Sequence, residues 1–214
     1  MKYYLTLLLF VICTWASAQP TFISLIQRAK IGSVPYSSGS EQMRHWFINV
    51  NKQVKLRGQD SVFLVEQLKS IPRIIVNPGG GNGFGDIDCD NTSESRLDNI
   101  GRIAIVAVIK DRLSKNYLLH IEIEENDVFP LQHGIIACIT TAGKITSWIY
   151  SDGAVNAFNR HGTISRDFKI RSDHTIYITE ASYGDNTNTY GFYATYKVAA
   201  NKLILVRRKL LIGK

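Results

Sequence analysis

Apolar and polar residues alternate through the second half of this chain. Successive side chains of a strand point to opposite faces of the pleat, so a period of two predicts strands. In residues 117–125, Tyr117, Leu119, Ile121 and Ile123 share one face, and His120, Glu122 and Glu124 share the other. That pattern predicts a half-buried antiparallel strand. Tyr190, Phe192, Ala194, Tyr196 and Val198 alternate with Gly191, Tyr193, Thr195 and Lys197 in the same way. Ile164, Phe168 and Ile170 line one face of a strand that carries Ser165, Asp167 and Lys169 on the other. Residues 102–110 are apolar on both faces and read as a central strand covered on both sides.

Turn residues fall between these runs. Asp152-Gly153 is a strong signal for a two-residue hairpin, whose central positions need positive φ. Ala142-Gly143, Ser172-Asp173 and Ala200-Asn201 stand where further tight turns belong. The pattern predicts about nine strands, beginning near residues 102, 117, 134, 145, 154, 163, 174, 190 and 202. A meander of that length has to curl, close or split into two layers to bury its apolar face, so a sandwich, a barrel and propeller-like blades all fit.

The first half is less regular. Residues 21–29 suit a short strand or helix, and 33–40 are rich in turn formers. Residues 41–54 have mixed helical character, with Met43, Trp46, Phe47 and Val50 at helical spacing. Asp60 is placed to cap a helix over 61–69, in which Val62, Val65 and Leu68 repeat every three, and Pro72 follows its end. Residues 74–76 suit a short strand. The fold class expected is α+β and predominantly antiparallel β: a helix- and loop-rich part over 19–100, packed on one face of a meander over 101–209, in a single domain over 19–214.

Residues 1–18 carry the pattern of a secretory signal peptide: Lys2, an apolar stretch over 5–15, and Ala16-Ser17-Ala18 as a cleavage site. The apolar stretch is too short to span a bilayer comfortably, so the mature chain should begin at Gln19 and carry no transmembrane span. Export points to a periplasmic or secreted location in a bacterial setting.

The formal net charge is +7, and the surplus is local. Residues 158–214 hold ten Lys and Arg against four Asp and Glu, with Arg207, Arg208 and Lys209 densest on the last strand. Such a surface suits an acidic partner, either a protein or an envelope polymer. Charge along an edge strand also serves to block aggregation, and that reading is preferred for Arg207–Lys209. An exported chain with no nucleic-acid motif is not expected to bind nucleic acid.

Export permits a disulfide, and Cys89 with Cys138 is the one pairing left after loss of the leader. A free buried thiol is the alternative for Cys138, which lies in an apolar strand.

Three segments carry potential chemistry. The Gly-rich stretch 77–95 matches neither a phosphate loop nor a dinucleotide fingerprint. Within it Asp86, Asp88 and Asp90 stand at alternate positions, as hard-cation ligands do, but Asn91 and Leu97 occupy the calcium-loop positions that need Gly and Glu. Glu94 fits only some other geometry, and a solvated acidic loop is the preferred reading. The row His120, Glu122, Glu124 offers a metal or an acid–base pair some candidates, with help from His133, but the polar face of a sheet explains it as well. His45, His161 and His174 read as surface residues. The aromatics Trp148, Tyr150, Tyr177, Tyr183, Tyr190, Phe192, Tyr193 and Tyr196 are dense along the later strands. A core explains most of them; Tyr177 and Tyr193, out of phase with the apolar alternation, are the expected exposed pair. The polar segment 182–189 is long enough to present contacts.

No catalytic signature is present, and no residue is assigned a catalytic, cofactor-binding or metal-binding role. The function expected is therefore an exported, non-enzymatic binding protein of inhibitor or immunity type. The alternatives are a hydrolase using carboxylates of 86–94 or 120–124, and a structural component of the envelope.

Overall fold

A strand that is hydrophobic on alternate positions buries one face; a sheet with two apolar faces needs a cover for each. This chain supplies one cover with a helix and the other by curling its sheet. The computed structural model describes residues 26, 29, 31–37, 54–71, 97, 100–111, 115–126, 132–157, 162–184 and 190–212. Among these residues lie ten strands and one helix: β1 (Tyr36–Ser37), β2 (Val54–Lys55), α1 (Gln59–Lys69), β3 (Ile100–Lys110), β4 (Tyr117–Glu125), β5 (Gln132–Ile139), β6 (Ile145–Ala157), β7 (Gly162–Ile170), β8 (Ile176–Gly184), β9 (Tyr190–Ala199) and β10 (Lys202–Ile212). The ladder runs in sequence order from β2 to β10, antiparallel throughout, with β1 pairing β7 off the path. The fold is therefore α+β and predominantly antiparallel β, as the alternation predicts, and its meander does not close into a barrel.

The curl originates in β6. Its first part pairs β5 from Ile145 to Gly153, and its last part pairs β7 from Gly153 to Ala157. Two register shifts against β5 leave Thr146 and Ser151 as extra residues. Bulges bend the strand that carries them. The expected hairpin at Asp152-Gly153 does not form: both residues lie inside β6, where the strand changes partners, and the separate strand expected near residue 154 is the second half of β6. The span 100–212 consequently holds eight strands rather than nine. A single Gly in a strand marks a bend as well as a turn, and here the bend prevails.

The remaining turns follow their residues. Residues 140–144 close with Thr140 N–H donating to Lys144 C=O and Gly143 N–H to Thr140 C=O, Gly143 taking φ of 81°. Residues 171–175 repeat that arrangement with His174 at φ 61° in the glycine position. Ala200 and Asn201, at φ 48° and 63°, form the two-residue turn between β9 and β10.

Each face of β3–β6 is buried. One face packs Ile105, Val108, Leu119, Ile121, Ile135, Ala137 and Trp148 against Leu64 and Leu68 of α1. The other packs Ile109, Leu118, Ile136, Cys138 and Ile149 against Phe168, Ile170, Ile176, Ile178, Ala194 and Tyr196 of β7–β9. β3 serves both cores because a register shift makes Val106 an extra residue, so that Ile105 and Val108 share a face. Residues 102–110 are thus apolar on both sides for the reason expected.

Helix α1 begins two residues earlier than its residues suggest. Its N-cap is Gly58, at φ 58° and with no side-chain cap, and Asp60 lies in the first turn, where it favours the helix dipole instead of capping it. The apolar stripe is Leu64 and Leu68, flanked by Phe63, Val65 and Ile71; Val62 points to solvent at 61 % exposure. Trp148 Nε1–H donates to Leu68 C=O at 2.9 Å and to Ile71 C=O at 3.2 Å, which fixes the helix end on β6. Gln67 Oε1 accepts from Ile145 N–H at 3.1 Å and ties the same end to the start of that strand.

The expected leader over 1–18, residues 41–53 of the expected helical stretch and the strand over 74–76 lie outside the described residues; Val54 belongs to β2 instead, and of the polar segment 182–189 residues 182–184 belong to β8 while 185–189 lie outside the described residues. Among those described, no helix is long and apolar enough to cross a membrane.

Candidate functional site: a basic and aromatic sheet face

Residues directly opposite in an antiparallel ladder point to the same side. The registers of β7–β10 therefore define two faces. The inner rows are Ile170, Ile176, Tyr196, Leu205 and, next to it, Phe168, Ile178, Ala194, Arg208. The outer rows are Lys169, Tyr177, Thr195, Arg207 and, next to it, Asp167, Thr179, Tyr193, Lys209. Lys197 opposite Ile204 continues the outer face toward the β9–β10 turn.

The outer face is open. Lys169, Thr179, Lys197, Ile204, Arg207 and Lys209 are exposed, and Tyr177 and Tyr193 are half-buried. Each tyrosine lies under an arginine. The Arg171 guanidinium carbon is 5.4 Å from the Tyr177 ring centroid, and that of Arg207 is 5.8 Å from the Tyr193 centroid. Both distances permit a cation–π contact. Arg171 Nη1–H also donates to the Tyr177 hydroxyl at 3.2 Å. That hydrogen bond pushes the Arg171 pKa further up. Tyr177 and Tyr193, expected to be exposed, are half-buried, while Trp148, Tyr150 and Tyr196 belong to the core. This face holds the cations of Lys169, Arg171, Lys197, Arg207 and Lys209 against Asp167 and Asp173. Asp173 is held below the ordinary carboxylate range, first by the Thr175 hydroxyl and then by its N–H, at 2.9 and 3.1 Å.

The acidic row of β4 is a different place. His120, Glu122 and Glu124 do share a face, but it is the inner one, opposite Leu119 and Ile121. His120 is 4 % exposed, so it is part of the core rather than of a solvated sheet face. Its Nδ1 is 2.8 Å from the Tyr36 hydroxyl, and its ring meets Phe168 edge-on at 4.9 Å. Glu124 forms an ion pair with Arg102. His133 lies on the opposite face against Tyr150, 6.1 Å between centroids, and gives the row no help. Among the described residues no three His, Cys, Asp or Glu side chains converge on a common point. Asp86, Asp88, Asp90 and Glu94 lie outside the described residues, as do His45 and His161.

Three further positions are buried. The Cys138 thiol is free and buried, and Cys89, its expected partner, lies outside the described residues. Burial pushes the Cys138 pKa up, and the Thr146 hydroxyl partly opposes it. His174 is buried rather than on the surface, its Nδ1 3.6 Å from Asp111 Oδ1. Arg166 sits at an inner position of β7, 1 % exposed. It pairs with Glu180 through Nε, at 3.0 Å, and through Nη2, and donates from Nη1 to Tyr150 C=O at 3.3 Å. An Arg in phase with Ile164, Phe168 and Ile170 was the available signal for this buried pair.

No known protein family, curated protein or solved structure matches this chain.

Proposed function

We propose that this chain is a non-enzymatic binding protein that works outside the cytoplasm and engages an acidic protein through the outer face of β7–β10. The observation that carries the reading is the pair of arginine-covered tyrosines among Lys169, Lys197 and Lys209. Aromatic rings supply contact area at low entropic cost, and Arg is the cation best suited to interfaces. The surrounding lysines steer an oppositely charged partner and raise its encounter rate. The leader pattern over 1–18 supports the location.

The test is a paired capture experiment. The mature chain from Gln19 and a variant carrying Lys197→Glu, Arg207→Glu and Lys209→Glu are immobilised and exposed to native extracellular or envelope extract. The expected result is an acidic protein retained by the first and reduced by at least about tenfold on the second, with release as salt rises. Equal retention by both, or capture of a glycan instead of a protein, overturns the reading.

A further inference from the structure

β10 ends the strand order, so one of its edges faces no other strand among the described residues. At its start that edge is closed. Leu203 N–H donates to Ser147 Oγ at 2.8 Å, and Asn201 C=O accepts from the Thr146 hydroxyl. Outward-facing backbone groups of an antiparallel strand recur every second residue, so Leu205 presents its N–H and C=O along the same edge. No strand among the described residues lies beside it. The side chains there are apolar and open: Ile204 is 46 % exposed, Leu205 39 % and Val206 57 %.

An exposed apolar edge invites strand addition, and proteins that avoid it place cations and bulges there. β10 has both, with Val206 as the extra residue between Leu205 and Arg207. These devices are selective. A second copy laid along this edge would bring Arg207, Lys209 and Lys202 against the same cations. A strand bearing carboxylates meets no such repulsion.

Building on the reading above, we propose that β10 is a docking edge for an extended acidic segment of the partner, added as an eleventh strand. The segment alternates carboxylates with apolar side chains. Its carboxylates continue the outer rows and face Arg207, Lys209 and Lys197. Its apolar side chains continue the inner rows and cover Leu205. Its main chain satisfies the outward groups of Leu205. Strand addition of this kind draws affinity from backbone hydrogen bonds and specificity from alternate side chains.

The test uses a synthetic octapeptide of alternating Glu and Val, and a twin N-methylated at every backbone amide, which keeps charge and side chains but removes the donors. Calorimetry at low salt should show the first binding the full mature chain and the twin binding at least about tenfold more weakly. Leu205→Pro, which removes an edge donor that edge strands tolerate losing, should weaken the first peptide comparably. Binding should slow hydrogen exchange at Leu205. Equal binding of the two peptides overturns edge pairing and leaves a contact by charge alone, with the outer-face reading intact. Failure of both peptides to bind, while charge reversal still abolishes partner capture, also overturns edge pairing only. Retention of the partner by the charge-reversed variant overturns both. A dimer in sedimentation that Leu205→Pro dissolves makes a second copy the occupant and overturns the proposal.

Discussion

Arg166 occupies a core position, and the fold accepts it because Glu180 stands directly opposite on the next strand. Removing one member of a buried ion pair leaves the other charged and unpartnered, whereas replacing both by apolar side chains avoids that penalty. Glu180→Ala alone should therefore lower unfolding stability by about 3–5 kcal/mol, and Arg166→Met with Glu180→Leu by much less, as read by chemical denaturation. The alternation of β7 held a signal that went unread, a charge in phase with Phe168 and Ile170. Its partner was not visible, because pairing depends on a register that residue types do not state. His174 has the same origin: the turn was legible, but its neighbour Asp111 follows the end of β3, 63 residues earlier in the chain by number. Asp173, by contrast, is a local device. Its carboxylate accepts from Thr175 and is held below its ordinary range, so it contributes order that is present above the unfolded-state pKa and is lost as pH falls through the lower folded-state one. The Thr175 amide shift, followed by NMR, should hold steady through mildly acidic pH and move only below the range where free aspartate titrates.

Elements were legible where the alternation stayed regular and misread where the strand bent. β4, β9 and the turns at 140–144 and 199–202 follow from residue type and spacing. β6 does not, because Gly153 serves equally in a turn and in a strand that changes partners, and only the pairing on either side of it decides. The β9–β10 turn illustrates a local cost that the element carries. Ala200 adopts φ of 48°, a left-handed conformation that disfavours any residue with a Cβ. Gly reaches it freely, so Ala200→Gly should stabilise the protein by roughly 1 kcal/mol, a rise in thermal midpoint that calorimetry resolves. Gly143→Ala, at φ 81°, should act in the opposite sense by a similar amount. Neither substitution touches the outer face, so partner capture should not change with either.

The whole molecule is held by the return of β10 to β6. The curl that gives β3–β6 their second cover brings residues of β10 and its turn against Thr146 and Ser147, far apart in sequence. Asn201 joins the same junction, its Oδ1 accepting from Asn116 Nδ2–H at 2.9 Å and its C=O lying 3.6 Å from the Cys138 thiol. Past Leu203, Ile204 lies on the outer face, and Leu205 and Val206 are exposed as well. One junction therefore sets both how far the sheet closes and how much of β10 remains open. Ser147→Ala removes the acceptor of a buried Leu203 N–H, which should lower stability by about 1–3 kcal/mol. The loss should be uneven: hydrogen exchange should quicken first at Leu203 and along β10, while β3–β5, covered on both faces, keep their protection until global unfolding. Uniform acceleration across all strands would mean instead that β10 and the rest of the sheet open together, and that the edge has no independent freedom to receive another strand.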